Sequence, residues 1–392
     1  MNIFDKLDSD LKIAIKKMGI TTPTEIQEQS IPAVMEGKDV IGESATGSGK
    51  TLAFGCGVMN KVVKGEGLQA LIMTPTRELA EQVKQSIAKL SNGKYNILSI
   101  YGGVSINPQI DELPRTDIVV GTPGRLLDHI ERRTIDLSKV KIVVLDEADR
   151  MLDMGFIDDV EDILKNCPKE RQNLFFSATM TAGVKELGIK FTNDSVKVKV
   201  NNQVDPSKLK QIYYNIDKQT KLSLLVHLVK NEDSGLIMVF CNSRKTVDFV
   251  TKSLKKNNIN SISIHGGLTQ NKRTKTIELF NGAKVGVLVC TDVAARGLHI
   301  DNVSHIYNYD IPRDSKDYVH RIGRTARAGE KGKVINLLCE YDYDNFGRIQ
   351  HDYSDFVIAR TEAPKVQKVI VAKSESRRGN FTQRNRMRAR SY

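Results

Sequence analysis

The chain has 392 residues, 40% hydrophobic and 27% charged, with a net charge of +12. That length suits two or three ordinary domains, the composition is that of a globular protein, and the apolar runs are too short for a bilayer-spanning helix. The start, Met1-Asn2-Ile3-Phe4-Asp5-Lys6, lacks an apolar core of the signal-peptide kind, and five scattered cysteines without a CxxC pair exclude a disulfide frame and a thiolate metal site, as expected for reduced thiols in the cytoplasm.

Leu7, Leu11, Ile15 and Met18 form one apolar helix stripe that ends near Gly19. Strand candidates follow at Val40-Ile41, Ala70 to Thr74, Ile97 to Tyr101, Asp117 to Gly121, Lys141 to Asp146 and Asn173 to Ser177, with helix-length segments between them. One such segment, Thr76 to Leu90, carries the stripe Leu79, Val83, Ile87, Leu90. Short apolar runs alternating with amphipathic helices predict a parallel sheet with helices on both faces. The rhythm pauses at Asn201 to Ser207, among turn formers, and restarts with strands at Leu236 to Cys241, Ser261 to Ile264, Val285 to Cys290, Val303 to Tyr307 and Val334 to Leu338. The fold class is therefore α/β, with two tandem domains: residues 1–203, a linker 204–210, and residues 211–358. Residues 359–392 are expected to be a basic, disordered tail. Residues 361–392 carry nine basic and two acidic side chains, so +7 of the +12 lies there, and the interleaved Arg384-Asn385-Arg386-Met387-Arg388-Ala389-Arg390 favours a polyanion-binding arm over a merely solvated tail.

Three constellations carry chemistry. Ser44-Ala45-Thr46-Gly47-Ser48-Gly49-Lys50-Thr51 follows the first strand candidate. Gly47 and Gly49 let backbone N–H groups approach phosphate oxygens at a helix N-terminus, Lys50 reaches the β- and γ-phosphates, and the Thr51 hydroxyl suits Mg²⁺. Asp146-Glu147-Ala148-Asp149 ends the apolar strand Ile142-Val143-Val144-Leu145, so its carboxylates fall in the crevice where α/β sheets bind ligands. Asp146 is assigned to Mg²⁺ and Glu147 to orienting and deprotonating the attacking water. His320-Arg321-Ile322-Gly323-Arg324-Thr325-Ala326-Arg327 lies in the second domain, with Arg324 and Arg327 spaced to point the same way from one turn. An Arg reaching the γ-phosphate from another domain makes hydrolysis depend on domain closure.

With these motifs in this order, the chain resembles the DEAD-box RNA helicases over roughly residues 4–340. The resemblance implies two RecA-like domains, each a mostly parallel sheet with helices on both faces, and RNA-stimulated ATP hydrolysis coupled to local, non-processive unwinding of short duplexes or remodelling of RNA–protein complexes. It assigns Phe4, Thr22 and Gln27 to the adenine-reading segment beside Ser44, Ala45, Thr46, Gly47, Ser48, Gly49, Lys50 and Thr51. It assigns RNA contacts to Pro75, Thr76, Arg77, Gly102, Gly103, Thr122, Pro123, Gly124 and Arg125 in the first domain. In the second domain it assigns RNA or interdomain contacts to Arg244, Gly266, Gln270 and Arg273, and Thr291, Arg296 and Gly297 to bridging RNA and nucleotide. Coupling falls to Asp149, Ser177, Thr179, Asp292 and His320, and Arg324 and Arg327 become finger residues that act with Lys50, Asp146 and Glu147 in catalysis. The implied cofactors are ATP and Mg²⁺. The implied partners are single-stranded RNA and short duplexes, with ribosome-assembly or RNA-decay proteins as the protein setting, no membrane, and a monomeric enzyme in the cytoplasm. This sequence departs from the family pattern at Ile20, where an aromatic is usual, at Ser44-Ala45 for Ala-Gln, at His299 for Asp and at Ala326 for Gly. An ATP-gated RNA clamp would use the same residues, and only duplex unwinding separates it from a helicase.

Overall fold

The structure, a computed structural model, describes residues 2–45, 47–200, 209–295, 298, 300, 303–325 and 332–372. In the first half the helices are α1 (Ser9–Lys17), α2 (Glu25–Met35), α3 (Lys50–Lys61), α4 (Arg77–Leu90), α5 (Asn107–Glu112), α6 (Pro123–Glu131), α7 (Ala148–Asp153), α8 (Ile157–Lys165) and α9 (Ala182–Phe191). The strands are β1 (Val40–Glu43), β2 (Ala70–Met73), β3 (Ile97–Ile100), β4 (Ile118–Gly121), β5 (Ile142–Asp146), β6 (Gln172–Ser177) and β7 (Val196–Lys199). They form one parallel sheet in the order β3-β4-β2-β5-β6-β1-β7. Strand residues alternate between two cores: Val40, Ile72, Val120, Val144 and Phe176 join α1 to α4 on one face, while Ile41, Leu71, Val119, Val143 and Phe175 join α6 to α9 on the other. This is why those strands read as continuous apolar runs.

The second half repeats the design. Its strands are β8 (Leu209–Asn215), β9 (Leu236–Phe240), β10 (Ser261–Ile264), β11 (Val287–Cys290), β12 (Val303–Asn308), β13 (Gly332–Leu338) and β14 (Ile358–Arg360). Its helices are α10 (Lys221–Asn231), α11 (Arg244–Lys256), α12 (Gln270–Asn281), α13 (Asp292–Ala295), α14 (Ser315–Ile322) and α15 (Tyr343–Asp352). The parallel order β10-β11-β9-β12-β13-β8-β14 is the first sheet's order with seven added to every strand. Each strand-end loop of one domain thus has a counterpart in the other.

Two expectations need correction. Strand β8 opens at Leu209, inside the segment read as linker, because Leu209, Ile212 and Tyr214 point into the second domain's two cores; residues 201–208 lie outside the described set. The expected disordered tail also begins too early. Residues 358–360 pair with β8, and Thr361 N donates to Tyr213 O (2.9 Å). Val366 and Val369 then pack on the α10/α11 core, and the Asn257 side chain clasps both backbone groups of Ile370 (2.8 and 3.3 Å). Ala372 N donates to Ser253 Oγ (3.1 Å), so residues 361–372 form a strap along α11 and belong to the fold. The basic residues from Lys373 onward lie outside the described set.

Candidate active site and nucleic-acid interface

Strand β1 turns through Ser44, Ala45, Gly47, Ser48 and Gly49 into α3, so the chain reverses at the helix N-terminus where backbone N–H groups lack partners. Gly49 has φ +94°, and a Cβ there would fall 2.3 Å from Gln27 Nε2, so both the backbone and the space demand glycine. Lys50 is buried and donates to Ser44 O (2.8 Å), while the Ser44 and Ser48 hydroxyls meet at 2.8 Å across the loop. The Ser44 that departs from the family pattern is therefore a cross-brace of the loop. Gln27 is buried at the start of α2; its Oε1 accepts from Thr24 N (3.0 Å) and its Nε2 donates to Gly49 O (3.0 Å). Thr24 Oγ1 donates to Ser48 O (2.7 Å). The segment expected to read adenine is thus fastened directly to the phosphate loop, and the Gln27 amide keeps one donor and one acceptor site for a base. Phe4 is buried in the first core, Ile20 packs against the same core, and Thr22 is exposed. Thr46 lies outside the described residues.

Asp146 ends β5 and Glu147 caps α7 in the left-handed region (φ 55°, ψ 49°). Such a backbone costs a side-chain-bearing residue about 1–3 kcal/mol and persists where the surroundings enforce it. Both carboxylates are buried, and Asp146 Oδ1 and Glu147 Oε2 have no hydrogen-bond partner among the described residues. Burial, reinforced by the Glu147 charge and opposed by Lys50, pushes the Asp146 carboxyl up to about 7. Arg150 Nε stands 3.4 Å from Glu147 Oε2, a buried ion pair without hydrogen-bond geometry.

The third acid of the quartet faces elsewhere. Asp149 Oδ2 accepts from Thr179 N (2.9 Å) and Thr179 Oγ1 (2.8 Å), while Ser177 Oγ accepts from Asp149 N (3.1 Å) and donates to Thr179 O (2.9 Å). Burial pushes the Asp149 carboxyl up, but those hydroxyl hydrogen bonds, then the Lys50 and Arg150 charges, outweigh it and hold the group below its ordinary range. The loop after β6 is therefore stapled to α7, the helix that follows β5.

The second domain shows why one site suffices. Helix α10 follows β8 as α3 follows β1, and it too begins with a lysine, Lys221. The loop before it, Ile216-Asp217-Lys218-Gln219-Thr220, has no glycine. Lys221 is buried, 2.7 Å from Asp342 Oδ2 and 4.0 Å from Asp310 Oδ1, with the Tyr309 ring 5.3 Å away. Its charge is consumed by internal carboxylates, so no phosphate is needed there.

The expected RNA contacts gather at the same strand ends in both domains. Thr76 caps α4 by accepting from Leu79 N (3.3 Å), which places Arg77 in the first turn. Gly103 has φ +79°, and a Cβ there would lie 1.9 Å from Arg77 Nη1; a Cβ at Gly102 would lie 3.7 Å from Arg77 Nη2 and 4.0 Å from Arg125 Nη2. Pro75, Thr122 and Pro123 are buried beside them and Gly124 is exposed. In the second domain Ser243 caps α11 (Thr246 N, 3.1 Å), and the Arg244 guanidinium lies 3.0 Å from where a Gly266 Cβ would be. His265 Nδ1 accepts from Gly267 N (3.1 Å), which leaves its Nε2–H for Asp248 (3.0 Å). Each domain thus sets an arginine against a glycine pair, an arrangement suited to phosphate oxygens. The two meet at Glu78, whose Oε1 accepts from Gln270 Nε2 (2.9 Å) and pairs with Arg273 Nε at 3.0 Å.

Helix α14 carries a residue the sequence reading passed over. Arg321 is 1% exposed. It donates to Asp292 (2.5 and 2.7 Å), Asn308 Oδ1 (2.9 Å), Asp310 O (2.6 Å) and Asn242 Oδ1 (3.0 Å), with its guanidinium 5.0 Å from the Phe240 ring. One buried guanidinium therefore ties together the loops after β9, β11 and β12. Its only sequence signal was its place between His320 and Arg324. Thr291 is buried just ahead of Asp292, His320 is half-buried on α14, and Arg324 is buried and donates to Leu298 O. Arg296, Gly297, His299, Ala326 and Arg327 lie outside the described residues.

A phosphate loop facing two buried carboxylates, with a second domain of the same topology set against the first, defines a two-domain nucleotide-driven motor. The sequence matches the DEAD/DEAH box helicase model over residues 24–187 and the helicase conserved C-terminal domain over 220–329. It is 45% identical over 336 residues to ATP-dependent RNA helicase CshA of Listeria monocytogenes, covering 85% of this chain and 65% of that protein. With DEAD-box ATP-dependent RNA helicase CshA of Bacillus licheniformis it shares 43% identity over 93% of this chain and 76% of the relative. Saccharomyces cerevisiae Dbp5 bound to RNA and ADP BeF3 superposes with a TM-score of 0.83 at 30% identity, over 92% of this chain and 96% of that one. The chain belongs to the DEAD-box family of ATP-hydrolysing RNA helicases. No helix among the described residues is long and apolar enough to cross a membrane.

Proposed function

We propose that this protein separates short RNA duplexes locally and non-processively, by gripping one strand across two domains that ATP draws together. The observation that carries this is the Glu78 contact with Gln270 and Arg273, which links the two arginine–glycine cradles at one edge. A strand held by both cradles needs both domains at once, so RNA binding and closure favour each other. Phosphates and 2′-hydroxyls are the grip, which favours RNA over DNA. Mg²⁺ fits the first domain: Asp146 and Glu147 bury carboxylate oxygens that accept no hydrogen bond among the described residues, and hard oxygen donors suit this cation. Asp146 and Thr51 would hold it, and it would neutralise phosphate charge. Lys50 positions the phosphates, Glu147 takes the proton of the attacking water, and Arg324 with Arg327 completes the site from the second domain. The Asp149–Ser177–Thr179 staple passes the nucleotide state to the RNA edge. The enzyme works as a monomer in the cytoplasm, where its five cysteines, all buried and free, stay reduced.

The test is steady-state ATP hydrolysis with no polymer, with single-stranded RNA and with DNA of the same sequence, followed by duplex unwinding at catalytic enzyme concentration. Stimulation by RNA alone is expected; equal rates in all three would overturn the mechanism. Ser177→Ala with Thr179→Ala should keep RNA-stimulated hydrolysis and lose unwinding, and equal loss of both would remove the coupling role. A chain cut after Ala372 keeps the strap and loses the basic segment; its RNA affinity should fall less steeply with salt, by roughly 0.7 in slope per lost phosphate contact.

A further inference from the structure

Behind the first-domain cradle runs a buried polar chain that no RNA-contact assignment includes. Gln109, on α5, is 6% exposed, and His129, one turn beyond Arg125 on α6, is 0% exposed. Gln109 Nε2 donates to Tyr101 O (3.2 Å) and Ser105 O (3.5 Å), the two ends of the loop that contains Gly102 and Gly103. Gln109 Oε1 accepts from Arg125 Nη1 (3.4 Å) and lies 3.2 Å from His129 Nε2. Arg125 Nη2 also donates to Val104 O (3.0 Å). His129 Nδ1 lies 2.8 Å from Thr134 Oγ1.

The protons can be placed by elimination. The Gln109 amide nitrogen faces two carbonyls, so its oxygen faces Arg125 and His129. An oxygen acceptor requires His129 Nε2 to carry hydrogen, and Nδ1 then accepts from the Thr134 hydroxyl. Burial and the nearby Arg125 guanidinium hold the imidazole below its usual range, consistent with a neutral ring at pH 7. Every polar atom of Gln109 is thereby spent on fixing either the glycine loop or Arg125.

We propose that Gln109 and His129 are positioning residues for the RNA grip: His129 fixes the Gln109 amide, and Gln109 locks Arg125 to the Gly102–Gly103 loop so that one phosphate meets both. The proposal rests on the reading of Arg125 as a phosphate contact, and the experiment separates the two. Single-stranded RNA affinity is measured against salt, in the presence of a non-hydrolysable ATP analogue, for Gln109→Leu, Arg125→Ala and the double variant. Gln109→Leu should weaken binding about tenfold and lower the salt slope by about 0.7, as Arg125→Ala does, because both lose one phosphate contact. The double variant should bind no worse than Arg125→Ala alone. Analogue affinity without RNA should stay at wild type for Gln109→Leu, which also reports folding. A wild-type salt slope for Gln109→Leu, or full additivity with Arg125→Ala, overturns the positioning role. A wild-type slope for Arg125→Ala itself overturns the phosphate reading, and the positioning role with it. If Gln109→Leu does not fold, His129 decides: His129→Gln, whose amide can still donate to Gln109, should keep the slope, and His129→Leu should lower it. Equal slopes for that pair overturn the proposal.

Discussion

Glu147→Gln is expected to bind an ATP analogue and RNA with near wild-type affinity and to hydrolyse ATP roughly 10²–10⁴-fold more slowly, the range attributed to a positioned general base. The argument starts from the backbone. Glu147 occupies a left-handed conformation that carries no intrinsic reward for glutamate, and its carboxylate is buried with one oxygen lacking a hydrogen bond. Strain and an unmet acceptor in one residue are features that a purely structural position would shed. Glutamine keeps the shape and can still orient a water but cannot take its proton. The buried Arg150 would lose its nearest carboxylate, yet Asp149 also acts on it, so the fold should survive. Steady-state turnover beside analogue affinity is the check. Near wild-type turnover would remove Glu147 from the base role and leave it as a strained cap of α7.

What the sequence reveals and what it hides divide along physical lines. The strands buried on both faces, such as Ile142-Val143-Val144-Leu145, are legible because parallel sheets leave no polar face. Two of the four edge strands, β3 and β10, are legible as well, but the other two are not: β7 is Val196-Lys197-Val198-Lys199, half polar, and β14 is only three residues long with β8 alone to pair with. The strap escapes for a different reason. Val366 and Val369 are isolated apolar residues among charges, and their docking becomes visible only when α10 and α11 stand side by side. Within the site, residues meant to touch a ligand follow strand ends in fixed motifs and can be named in advance. Residues that hold them need partners far away in the chain. Arg321 answers to Asn242, Asp292, Asn308 and Asp310, and Gln109 answers to Tyr101, Arg125 and His129. No local spacing announces such a node. The repeated topology is hidden for the same reason, since the two halves share a strand order and not residues: Lys50 and Lys221 begin equivalent helices, yet only the first follows a glycine loop.

Arg324→Ala should lower RNA-stimulated turnover by about 10³-fold or more, the lower end of what an arginine finger contributes, while leaving ATP affinity without RNA largely intact. Arg324 lies just past the end of α14, where its backbone N–H donates to Arg321 O (3.1 Å). Its foundation is thus the same buried arginine that binds Asp292 and Asn242, so Arg324, the start of α13 and the loop after β9 are all tied to one side chain. In this structure the Arg324 guanidinium rests on Leu298 O. A γ-phosphate offers a charged acceptor in exchange for that neutral carbonyl, and charge-assisted hydrogen bonds are roughly twice as strong, so the exchange favours reaching across the cleft. Because hydrolysis would then need both domains, the loss should appear in turnover with RNA and be small in the polymer-free basal rate. Arg324→Lys keeps the charge without the planar fork and should recover only part of the rate. A turnover within about twofold of wild type for Arg324→Ala would assign the finger to Arg327 alone. A parallel loss of ATP affinity in the RNA-free enzyme would instead place Arg324 in a site that is already closed before RNA arrives.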